Sequence, residues 1–197
     1  MPIGQRVQDR PQLVRDSLVT LNLTELRVSD FIGKSRNRQN RGAGIYDAAV
    51  ADTHKIDTLG AEAELAFAKM CDIYPRDFLV LEPKSKAKGT DEGDLTVDGI
   101  SIDVKATTHE KGMLLSTSKH TSGIELFALM VKKGDDTFQL KGFMLADELA
   151  KEERFGRAGG KLRRAAYVAT QDELYNYAEA VERLKYREKK LKKVVDT

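Results

Sequence analysis

Asp94, Asp103 and Lys105 are the residues whose types and spacing point to joint chemistry. They flank Asp98-Gly99, and the stretch on either side alternates strictly between apolar and polar residues. Counting outward from a two-residue turn, Val97 faces Ile100, Thr96 faces Ser101, Leu95 faces Ile102 and Asp94 faces Asp103. The two carboxylates then stand as cross-strand neighbours with Cβ atoms about 4.5–5.5 Å apart, where like charges destabilise a hairpin. A divalent cation offsets that repulsion, and hard oxygen ligands suit Mg²⁺ or Mn²⁺. Lys105 follows on the same face about 6–7 Å along the strand, within reach of a water or anion held at such an ion. The pattern has a plainer reading too: a solvated polar face on which Lys105 neutralises the pair.

The elements that must position these residues follow from periodicity. Leu95, Val97, Ile100, Ile102 and Val104 share the opposite, apolar face of the hairpin, which must cover a core. Thr58–Asp72, rich in Ala, Glu and Leu, has the spacing of an amphipathic helix, with Pro75 shortly past its end. Ile124–Lys132 and Thr137–Leu145 read as two more strands joined at Gly134-Asp135. Residues 171–194 read as a long polar helix with Asp172 at its N-cap. A helix, then strands, then a helix gives a mixed α/β or α+β domain.

The order Gly60-Ala61-Glu62-Ala63-Glu64, Gly93-Asp94, Ile102-Asp103-Val104-Lys105 resembles the PD-(D/E)XK nuclease superfamily. The resemblance spans roughly residues 32–149, including Phe138–Leu145 and the Ala146-Asp147-Glu148-Leu149 segment after it. Gly-Asp stands where that family more often has Pro-Asp, and Asp where it more often has Glu before x-Lys. The likeness implies a restriction-endonuclease-like core, a mixed central β-sheet flanked by helices. It implies Glu64, Asp94 and Asp103 as metal-binding catalytic residues, with Glu62 as a substitute for Glu64, and Lys105 as the residue assisting the attacking water. Mg²⁺ or Mn²⁺ is the implied cofactor, nucleic acid (DNA foremost) the implied partner, and a DNA endonuclease the expected activity. A homodimer, a phage or mobile-element origin and the cytoplasm of a bacterial host belong to the same expectation. Two other classes stay open: a nucleic-acid-binding protein that keeps the fold without turnover, and an interaction module for a partner protein.

The cations needed to hold a polyanion are unevenly spread. The chain carries 33 Lys+Arg against 31 Asp+Glu, a net charge of +2, which excludes a histone-like polycation. Residues 1–44 form a basic arm, 45–170 the nuclease-like core and 171–197 a Lys-rich helix. Within the arm, Gly33–Gly44 lacks apolar periodicity and reads as an exposed, mobile loop. Its Lys34, Arg36, Arg38 and Arg41 suit sequence-independent contact with phosphates. Arg154, Arg157, Lys161, Arg163 and Arg164 form a second cluster, and Arg183–Lys193 a third. His54, His109 and His120 lack metal-ligand spacing, and His109 reads as a surface residue past a strand end. Ser116–Lys119 reads as a polar turn or a phosphate contact. The lone Cys71 reads as a buried small hydrophobe and excludes both an internal disulfide and a cysteine-built zinc site. With 41% hydrophobic and 32% charged residues, no apolar run reaches membrane-spanning length, and no secretory signal opens the chain.

Overall fold

The computed structural model describes residues 13–42, 53–73, 94–117, 123–156 and 165–195. Asp98 and Gly99 both take positive φ, 52° and 81°. That is the type I′ turn whose twist matches the strands it joins. β2 (Leu95–Val97) and β3 (Ile100–Thr107) pair around it in the expected register. β3 runs parallel to β5 (Leu126–Lys132), which runs antiparallel to β6 (Thr137–Leu145). β1 (Leu18–Thr20) closes the far edge on β6, so the mixed sheet has the order β1-β6-β5-β3-β2.

β5 is apolar on both faces, as expected of a strand covered on both sides. Leu126, Ala128 and Met130 join the main core with Phe67, Phe143, Tyr177 and Leu184. Phe127 and Leu129 face a second cluster with Leu114, Met144, Leu149 and Tyr167. The first side is covered by α2 (Thr53–Met70) and α4 (Tyr177–Val195). On the second lies a two-stranded sheet of β4 (Leu114–Ser116) and β7 (Tyr167–Ala169), with the short α3 (Ala146–Leu149). The molecule is therefore α+β, with helices flanking a mixed central sheet.

α1 (Leu23–Gly42) lies against α2. The expected loop over 33–44 is thus corrected: its residues through Gly42 are helical, and 43–44 lie outside the described residues. Gly33 is a packing glycine, since a Cβ there would meet Thr58 Oγ1 at 2.5 Å and Thr58 Cα at 2.6 Å. The segment expected as an arm contributes an edge strand and a helix.

Three further boundaries differ. α2 begins five residues before Thr58, and β5 begins at Leu126. The final helix begins at Tyr177, not at Asp172. Gln171–Glu173 forms a separate 3₁₀ turn, where Thr170 and Glu173 complete a capping box. Ser116 is a buried strand residue rather than part of a polar turn, and Ser118–His120 lie outside the described residues. Val181 and Leu184 of α4 are spent in the core. Cys71 is buried, as expected, and His109 is exposed just beyond β3.

Candidate functional site: a carboxylate centre on the hairpin

The hairpin register delivers Asp94 and Asp103 as neighbours. The Asp94 N–H donates to Ile102 O at 3.0 Å, and its carboxylate Oδ2 accepts the N–H of Val104 at 2.9 Å. Val104 sits between Asp103 and Lys105, so the Asp94 carboxylate is drawn onto the strand that carries both. Asp103 is buried, beside Phe127 across the β3–β5 ladder. Lys105 forms an ion pair with Asp103 Oδ2 and lies over the Phe127 ring. Among the described residues Lys105 is the donor that meets this oxygen, which has no solvent exposure of its own.

The electrostatics follow from this placement. Burial pushes Asp103 up from 3.8 to about 6, Asp94 adds to the rise, and Lys105 opposes it. Burial works against the Lys105 ammonium, but Asp103, Asp94 and Glu64 outweigh it, so its pKa is raised. Lys105 is therefore a fixed cation at neutral pH, able to donate hydrogen bonds but not to accept a proton.

Glu62 and Glu64 stand on α2, which is enclosed so closely that Ala61, Ala63, Leu65, Ala66, Phe67 and Ala68 are inaccessible. Two acids on such a helix must be paired. Lys132 of β5 meets Glu62 Oε2 at 2.5 Å. Glu62 thus belongs to an ion pair with the sheet. Glu64 is met by Arg36 of α1, whose Nη1 and Nη2 donate to Oε1 and Oε2 at 2.6 Å each. This is the two-pronged geometry of the strongest guanidinium–carboxylate pairs. Burial lowers the Arg36 pKa, but the bonds and charge of Glu64, with Asp94 and Asp57 behind it, raise it overall. Arg36, Glu64, Asp94, Asp103 and Lys105 thus share one electrostatic neighbourhood. Among the described residues, no three His, Cys, Asp or Glu side chains converge closely enough to hold a metal ion together. Asp94 and Asp103 are the pair brought together, and Glu64 is drawn to Arg36.

Arg36 was legible only as one of a row of loop cations. At about 100° per residue, α1 turns it some 160° away from both Lys34 and Arg38. Lys34 and Arg38 are exposed, and Lys34 meets Asp30 at 2.6 Å. The Arg41 side chain lies outside the described residues. The four cations therefore do not form one phosphate-binding loop. Arg154 is used on Glu173 and Val168 O, while Arg157, Lys161, Arg163 and Arg164 lie outside the described residues. On α4, Arg187 meets Asp147 at 3.2 Å, and Arg183 lies over Tyr175 and reaches Glu148 at 3.8 Å. These two cations dock α4 on α3.

Compared with protein-family models, curated proteins and solved structures, the chain matches none. No helix among the described residues is long and apolar enough to cross a membrane.

Proposed function

We propose that the chain is a divalent-metal-dependent hydrolase of phosphodiester bonds in nucleic acid, with DNA as the first substrate to test. The observation that carries this is Asp103: a buried carboxylate pressed against a second carboxylate and paired with an ammonium. That donor set fits a hard cation. Mg²⁺ is commonly held by one or two carboxylates, with waters and substrate phosphate completing its shell.

Asp94 and Asp103 are the residues that would hold the ion. A bound Mg²⁺ or Mn²⁺ supplies Lewis-acid polarisation of a phosphoryl oxygen and a water of lowered pKa. Lys105 donates a hydrogen bond to the attacking water or to the phosphoryl oxygen that gains charge. Water adds to phosphorus as the bond to the leaving sugar oxygen breaks, and that oxygen takes up a proton. Glu64 is positioned by Arg36 and acts from outside the direct ligand set.

The test is degradation of single- and double-stranded DNA and of RNA with Mg²⁺ or Mn²⁺. Lys105→Ala and Asp103→Asn should abolish turnover while leaving a folded protein. No degradation of any of these, or full activity in Lys105→Ala, overturns the proposal. One observation favours a second reading, a binding protein without turnover. Arg36 claims the acid that a third metal ligand would require. Salt-sensitive DNA binding that ignores divalent ions identifies that case.

A further inference from the structure

Lys105 carries its ammonium on a flexible four-carbon stem, and its side chain is 38% exposed. Water is the default place for such a group, yet the ammonium turns back against the sheet. Asp103 and Lys105 alternate on β3 with Ile102 and Val104, which belong to the main core, so they stand on the other side of the sheet. The neighbouring strand β5 puts Phe127 beside Asp103 and Leu129 beside Lys105. Phe127 is 2% exposed and is packed in the second apolar cluster with Leu129, Met144 and Tyr167. Lys105 Nζ lies over the ring of Phe127, 5.8 Å from its centre. A cation within about 6 Å of a phenyl face is drawn to the negative charge of that face, more strongly where water is scarce. Two groups therefore hold the ammonium, the Asp103 carboxylate and the Phe127 ring.

We propose that Phe127 is the positioning residue for Lys105: its ring face keeps the ammonium beside Asp94 and Asp103 while those carboxylates hold a cation. This rests on the reading of Asp94 and Asp103 as cation ligands and of Lys105 as the donor next to them. A cation on Asp103 competes with Lys105 for the same carboxylate, and two positive charges side by side repel. The carboxylate thus holds Lys105 most weakly when the donor is needed. The ring has no such conflict, because its attraction for the ammonium is not consumed by the ion. Phe127 touches no reacting atom and acts only through Lys105. An aliphatic side chain at this place covers the same apolar cluster and lacks the attraction.

The test reads Lys105 by nuclear magnetic resonance, in protein labelled at the lysine ε carbons, without and with saturating Mg²⁺. Ring currents move protons above a phenyl face upfield. The Lys105 ε-methylene signal, assigned by its loss in Lys105→Ala, is therefore expected upfield of the exposed lysines in both conditions. Phe127 replaced by a trifluorinated phenylalanine keeps the shape of the ring and loses most of its negative face. In that variant the signal should move back towards the exposed lysines when Mg²⁺ is added, and kcat on DNA should fall roughly tenfold at little-changed KM. Phe127→Leu should lose the shift in both conditions, and the fluorinated ring guards against misfolding of that variant. A folded fluorinated variant with wild-type signal and kcat overturns the inference. So does a wild-type signal that leaves its upfield place when Mg²⁺ binds. A wild type that binds Mg²⁺ and keeps the shifted signal but degrades no nucleic acid supports the hold on Lys105 and overturns the proposed turnover. A wild type that binds no Mg²⁺ overturns the metal reading, and the inference with it.

Discussion

Gly33→Ala and Gly60→Ala are the same chemical change in the interiors of two adjacent helices, and the structure gives them opposite signs. Replacing a mid-helix glycine by alanine gains roughly 0.5–1 kcal/mol when the new methyl is unopposed. At Gly60, no described atom lies within 4 Å of the added Cβ, so the full gain is expected. At Gly33 the Cβ meets Thr58 Cα at 2.6 Å and Thr58 N at 2.8 Å, backbone atoms that no rotamer change can move. Carbon atoms sit comfortably at about 3.5–4.0 Å, so α1 and α2 must part by roughly 1 Å. Overpacking of this kind costs about 1–3 kcal/mol, and the separation also stretches the Arg36–Glu64 and Asn37–Asp57 contacts. Net of the helical gain, Gly33→Ala should lose up to about 2 kcal/mol, and because that gain is common to both variants they should differ by the overpacking cost, about 1–3 kcal/mol. Urea unfolding followed by circular dichroism reads this directly. In a melt it corresponds to roughly 2–4 °C for each kcal/mol in a chain of this size. A Gly33→Ala protein as stable as Gly60→Ala would show that the helices do not cross closely at Gly33. The account of how Arg36 reaches Glu64 would then fail.

The other predictions concern the charged groups. Asp103 holds its proton to about 6 in the fold and to 3.8 in the unfolded chain, so its contribution to stability is complete below about pH 4 and is lost as pH rises through 6. The loss is on the order of 2–3 kcal/mol. Asp103→Asn should remove that slope, and identical urea midpoints against pH in variant and wild type would refute the assignment. Mn²⁺ competes with the same proton, so it should raise the melting temperature more at pH 7.5 than at pH 5. Equal shifts would place the ion elsewhere. Lys132→Met strands Glu62 in the core and should cost about 3 kcal/mol, whereas Glu62→Leu/Lys132→Met should recover most of it. A double variant as unstable as the single one would mean that packing, not charge, fails at this pair. Chelating divalent ions should weaken DNA binding by about tenfold or more, measured by fluorescence anisotropy, a change of about 1.4 kcal/mol. Unchanged binding would support the reading without turnover.

The hairpin was legible because local rules decide it. Asp-Gly fixes the turn, the turn fixes the register, and alternation fixes which residues share a face. β5 and β6 were legible as apolar runs bounded by a turn, although the first residues of β5 needed the neighbouring strand to place them. α1 was hidden because its inward face is largely polar. Beyond Ile32 it meets α2 through Gly33, Arg36 and Asn37, none of which carries a hydrophobic signal. A glycine followed by a row of cations looks like a loop until the neighbouring helix is in place to require it. The same blindness hid the split between Glu62 and Glu64. Both are helix acids two residues apart, and only the positions of Lys132 and Arg36 separate their roles. Asp172 failed as a cap because Thr170 and Glu173 satisfy each other first.

Near-neutrality is a matter of placement. Many of the described cations are spent on acids of the same chain, buried or exposed: Lys69 on Glu25, Lys132 on Glu62, Lys141 on Asp16, Arg154 on Glu173 and Arg187 on Asp147. The hairpin centre departs from that balance. Glu64, Asp94 and Asp103, with Asp57 behind them, face Arg36 and Lys105, so acids are in excess where a phosphate is proposed to react. A polyanion approaching that excess is repelled until a divalent cation reverses the local sign. The same cation would bind the Asp103 carboxylate and displace the proton it holds below about pH 6. On the proposed reading, stability, ion binding and phosphate affinity would be coupled through one buried carboxylate. An ion that binds without displacing the Asp103 proton would leave all three independent.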